Sequence, residues 1–114
     1  MRFIANVSAN KEGVLRLMIH ETEYGVYLFG FNRIPDGGTM WDQWYESLND
    51  AKEIAQEKYQ LMPEAWVQLD EPYEHCQQDW IQPVRLKGRN LGQPEWGKLE
   101  HLVSGRWLDF DPEE

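Results

Sequence analysis

Few residues in this 114-residue chain have the types and spacing that chemistry needs. The first are His75 and Cys76, adjacent within Asp70-Glu71-Pro72-Tyr73-Glu74-His75-Cys76-Gln77-Gln78-Asp79. A thiol beside an imidazole pairs a nucleophile with its base. Sequence neighbours in a loop seldom point at one another, and no Gly-rich oxyanion-type motif accompanies these two. Glu74, His75, Cys76 and Asp79 are also potential metal ligands, but the second Cys or spaced His pair of a zinc site is missing. The segment reads as an acidic surface loop, with no catalytic residue, no metal and no cofactor. Asp42 with Glu46, and Asp70 with Glu71, are the residue types of acid–base catalysis. No His or Lys pattern surrounds them, so they read as solvated charges. Gly88-Arg89-Asn90-Leu91-Gly92 shares two glycines with a phosphate loop and lacks its Lys-Ser/Thr ending and following helix. Arg85, Lys87 and Arg89 are two apart, so an extended segment puts them on one face. That face suits an anion or an acidic partner, or is simply a solvated strand face.

The chain holds six tryptophans. Exposed, Trp and Tyr stack on ligands or anchor interfaces. Buried, they fill a core thin in Leu and Ile. Most are expected to be buried, with at least one left exposed. Tyr27, Trp41 and Trp44 are the residues for an aromatic ligand pocket.

These residues must be positioned by a small set of elements. Ser47 followed three residues later by Asp50 is an acidic variant of the capping box. Leu48, Ala51, Ile54, Ala55 and Tyr59 then recur at helical spacing, with Asn49, Lys52, Glu53, Gln56 and Glu57 opposite. Pro63 forbids continuation, so the helix ends near Gln60. A helix of about 12 residues is marginal alone and must dock its apolar stripe.

Before it come Phe3 to Val7, an edge strand or arm, and Val14 to Ile19, a strand. His20 to Glu23 close a hairpin, and Tyr24 to Phe31 form a strand apolar on both faces, hence central. Gly25 and Gly30 mark a bulge or a close approach of other atoms. Pro35 to Gly38 turn the chain, and Met40 to Tyr45 form a third strand. After the helix, Ala65 to Leu69 is a fourth.

The fold class is therefore α+β: a mainly antiparallel sheet of about four strands (β-β-β-α-β) with one helix on one face. The C-terminal segment is irregular and partly β, with strands near Ile81 to Leu86 and Arg106 to Phe110. The expected organisation is a single domain, 1–114, with a sheet-plus-helix core over 1–69. Residues 70–114 are an extended segment packing on that core. One helix covers one sheet face, so the second face calls for the C-terminal segment or another subunit. Pro112 to Glu114 are expected to fray.

The run Asp42 to Lys52, with Ala55 and Trp66 beyond it, resembles a pattern in a family of small bacterial proteins. There an Asp-x-Trp strand end feeds a Ser-capped, Ala/Lys-rich helix, and a Trp-bearing strand follows. The resemblance covers about residues 40–67. It implies a strand–helix–strand core and bacterial origin, and it carries over no activity and no site residue.

The formal net charge is −9, from 20 acidic and 11 basic residues. Such a surface disfavours nucleic acid and anionic membranes and suits a basic partner. Cys76 is alone, so no intrachain disulfide forms. No apolar run reaches membrane-spanning length, and the first residues lack a signal-peptide core, which points to the cytoplasm. The leading expectation is a non-catalytic, acidic protein–protein interaction module of bacterial type, sharpest as a toxin-neutralising immunity or inhibitor protein. Its expected contacts are Glu71, Tyr73, Glu74 and Asp79. The alternatives are a homodimer or larger homo-oligomer built on the uncovered sheet face, and a small-ligand binder or enzyme using the aromatic pocket.

Overall fold

The computed structural model describes residues 1–8 and 11–111. It contains two compact units, Met1–Glu71 and Pro72–Glu114. The expected fraying of Pro112 to Glu114 lies outside the described residues.

The first unit carries β1 (Arg2–Asn6), β2 (Arg16–Thr22), β3 (Gly25–Phe31), β4 (Trp41–Tyr45), α1 (Leu48–Tyr59) and β5 (Val67–Leu69). The strands form one antiparallel sheet in the order β4-β3-β2-β1-β5. The fold is α+β, as expected, and the sheet has one strand more than four. The extra strand is β1. It is no edge strand or arm, because β2 pairs on one side of it and β5 on the other. Its apolar positions are only Phe3, Ile4 and Ala5, too few to signal a strand bonded on both sides.

Register sorts the side chains between the two faces. Phe3, Ala5, Leu17, Ile19, Val26 and Leu28 share one core with Ala51, Ala55 and Tyr59 of α1. The helix starts and stops where its local chemistry says. The Ser47 hydroxyl accepts from the Asp50 amide at 3.1 Å, and Gln60 adopts a left-handed conformation (φ 59°) as its amide closes onto the Gln56 carbonyl. Ala51 and Ala55 are fully buried, which lets the helix axis approach the sheet closely. The other face presents Met18, Tyr27, Phe29 and Phe31, with Tyr27 and Phe29 stacked at 6.0 Å. Arg16 lies over the Phe31 ring at 4.7 Å and donates to the Ile34 carbonyl. The strand expected over Val14 to Ile19 begins only at Arg16, so Val14 is free of its alternation and joins the helix-side core with Leu17.

The second unit holds β6 (Val84–Leu86), β7 (Leu99–Val103) and β8 (Arg106–Phe110), a three-stranded antiparallel sheet in chain order. The strands expected near residues 81–86 and 106–110 are present, and β7 lies between them. At its centre Arg85 pairs with Glu100 at 2.7 Å, both side chains largely buried, and stacks on Trp107 at 3.7 Å. Trp80 meets Phe110 edge-on at 5.6 Å.

Candidate functional site

The β2–β3 hairpin turns on Glu23 and Tyr24, so the strands run closer to the turn than His20 to Glu23 as a loop would allow. Thr22 closes it: the hydroxyl donates to the Gly25 carbonyl at 2.8 Å and accepts from the Tyr24 amide at 3.2 Å. Across the next ladder Val26 pairs with Tyr45. That register brings the hairpin turn beside the residues linking β4 to α1. Between them lies an open cleft of about 470 Å³, lined by Glu21, Glu23 and Glu46, by Tyr24 and Trp44, and by the backbone around Gly25 and Ser47.

Two tryptophans of β4 explain the two glycines of β3. Trp44 pairs directly with Tyr27 but leans its indole over Gly25, where a Cβ would sit 2.2 Å from its Nε1. Trp41 pairs with Gly30 on the opposite face and covers it, with a Cβ there only 2.3 Å from its Cε2. The close approach expected at these glycines is therefore made by the neighbouring strand's own indoles. Trp41 then stacks on Tyr59 of the helix at 6.5 Å and belongs to the core. Trp44 stays 52% exposed and Tyr24 82% exposed. Of the three residues expected to line an aromatic pocket, Tyr27 and Trp44 are neighbours, and the sheet separates Trp41 from them.

The cleft's chemistry is that of a cation site. Three glutamates, an exposed indole and a phenol line it, with Glu21 on the sheet face opposite Trp44, and ammonium or guanidinium groups are attracted both by the charges and by the rings. The positive end of α1 opens on the same cleft, but Glu46 and Asp50 sit at that end and offset it. Among the described residues no Cys, His or Lys lines the cleft, and its two hydroxyls are engaged locally, Thr22 with the Gly25 carbonyl and Ser47 with the Asp50 amide.

The acidic contacts expected from sequence fall in both units. Glu71, closing the first, is engaged within it: one carboxylate oxygen meets the Met1 amine at 2.5 Å and the other meets His20 Nε2 at 3.2 Å. The hydrogen bond from that amine, with a smaller one from His20, holds the carboxyl below the usual range despite partial burial. Tyr73, Glu74 and Asp79 belong to the second unit. Tyr73 and Glu74 are exposed, with Glu74 beside His75 at 3.5 Å, and Asp79 is half-buried. His75 takes a left-handed conformation (φ 67°), and the Cys76 amide donates to the Tyr73 carbonyl, which makes this segment a tight turn.

Arg85 and Lys87 are occupied by Glu100 and by Asp109, the latter at 2.9 Å, so their row does not form an anion site. Gly88 and Gly92 flank a single 3₁₀ turn, each with positive φ, and no helix follows to receive a phosphate. Among the described residues no group of three or more His, Cys, Asp or Glu is placed to hold a metal, and no helix is long and apolar enough to cross a membrane.

Sequence reasoning did not single out Glu21, Glu23 or Tyr24, and it took Glu46 only as a solvated charge. The one signal was two glutamates flanking a hairpin turn. Their meeting with Trp44 and Glu46 depends on strand order. No family model, curated protein or solved structure matches the chain.

Proposed function

We propose that this protein is a non-catalytic interaction module that binds a basic protein, with the cleft between the β2–β3 turn and the start of α1 as its contact surface. An immunity-type neutraliser of a basic toxin is the sharpest form of that reading. The observation that carries it is the exposed Trp44 and Tyr24 set among Glu21, Glu23 and Glu46. Aromatic anchors beside charge are what interface hot spots are made of. The net charge of −9 adds long-range steering toward a basic partner. Tyr73 and Glu74, exposed on the second unit, are further contacts for the same kind of partner. Glu71 is a weaker candidate, because its charge is already answered by the Met1 amine and His20.

The test is a titration with a short capped peptide alternating Arg or Lys with Val, followed by tryptophan fluorescence. A Glu23→Lys/Glu46→Lys double variant should weaken binding by about tenfold or more, since each reversed charge replaces attraction with repulsion. Trp44→Phe should remove much of the fluorescence response. A peptide that binds the double variant as tightly as the parent protein rules the cleft out.

A further inference from the structure

We infer that the partner is an extended basic segment that adds as a sixth strand to the outer edge of β4, with Lys or Arg at every second position. The inference rests on the proposed cleft and supplies its backbone geometry. Among the described residues β4 is bonded on one side only, to β3, so its other row of amides and carbonyls stands at the edge of the sheet. Such an edge is a template for another strand. Asp42, Gln43 and Trp44 are all exposed along it.

The side-chain pattern of this edge selects the occupant. Asp42 and Trp44 share one face of β4, and Glu46 follows immediately past the strand end, in the bend that leads to α1. An added strand would set alternate residues opposite Asp42 and Trp44, within the reach of directly opposed cross-strand pairs, and its next alternate residue near Glu46. Two positions meet carboxylates. The third meets an indole face, which a guanidinium or ammonium group also favours. The far end of the added strand lies level with the β2–β3 turn, because the β3–β4 register sets that turn beside the end of β4.

A second copy of this chain fits poorly by the same criterion. Its β4 would bring Asp42 and Glu46 against like charges. The chain's own alternating basic row, Arg85 and Lys87, is spent on Glu100 and Asp109.

The experiment compares the alternating basic peptide with two derivatives N-methylated at alternate residues, in opposite phase. Charge and length stay constant while one phase or the other of its amides is removed. Strand addition predicts that one phase loses about tenfold or more in affinity, as a few backbone hydrogen bonds disappear, while the other binds like the parent peptide. Amide exchange should slow on Trp41–Tyr45 when the parent peptide is bound. Equal binding by all three peptides, still weakened by Glu23→Lys/Glu46→Lys, overturns strand addition and leaves the cleft standing. No binding by the parent peptide at low salt overturns both, and Asp42 then serves only to guard the edge against self-association.

Discussion

Two glycines in β3 set how closely two tryptophans of β4 can lie against the sheet. Gly30 is the stricter, because Trp41 is wedged between it and Tyr59. A methyl at position 30 has to push the indole into packed core. Gly30→Ala should therefore cost about 1–3 kcal/mol, the usual penalty of overpacking, read as a lower urea midpoint with an unchanged slope. A change under about 0.5 kcal/mol, the level of an ordinary surface substitution, would show that Trp41 is not held as described.

Glu71 gives a pH-dependent prediction. Its folded carboxyl titrates below its unfolded value, so its contribution is present above the unfolded value and lost as pH falls through the folded one. The residue is more than half exposed, so Glu71→Gln should cost only about 0.5 kcal/mol near pH 7. That difference should begin to shrink as the pH drops below about 4.3, the ordinary glutamate value, and vanish only below the lower folded value. A difference that persists in acid would assign the effect to packing rather than charge. Neither residue's role is legible locally: each depends on a partner from another element.

At the scale of the element, α1 was readable in full. Its span, 48–59, follows from the Ser47 cap, the three-and-four spacing of its apolar residues and the block at Pro63. All of these are local in sequence. The caps make a paired prediction. Ser47→Ala removes the acceptor for the Asp50 amide and should cost about 1 kcal/mol. Gln60→Gly relieves a left-handed non-glycine residue and should add about 0.5–1 kcal/mol. Urea unfolding measures both, and the same sign for the two would contradict the cap assignment.

β7 was missed for an equally physical reason. Its buried centre is Glu100, a charge made tolerable by Arg85 from β6, so hydrophobic alternation gives no sign of it. The available clue was Ser104-Gly105, both at positive φ (50° and 79°) between β7 and β8, as a tight hairpin turn requires. β1 was undervalued because its neighbours on both sides, β2 and β5, are distant in sequence or separated by a loop.

Over the whole molecule, charge is the property that reaches furthest. The −9 net charge is spread unevenly: residues 1–79 carry 14 acidic against 6 basic groups, while residues 80–106 carry 5 basic against 2 acidic. Binding of the basic peptide should therefore weaken steeply with added salt as the Debye length shrinks from about 10 Å at 0.1 M to about 3 Å at 1 M. The Glu23→Lys/Glu46→Lys variant should show a flatter dependence, because the charges it reverses line the cleft itself. A salt response identical in the two proteins would place the contact elsewhere.

The sequence alone determined the α+β class, the helix with both its ends, the interior place of β3 and the net charge of −9. Each follows from periodicity, capping chemistry or composition, which a short stretch of chain carries by itself. Only the tertiary structure decided the strand order, the placing of Trp41 and Trp44 on opposite faces, and the meeting of residues 21–26 with 44–48. Those outcomes depend on which strands pair and in what register. Pairing is fixed by the joint burial of side chains far apart in the chain, and no local pattern encodes it.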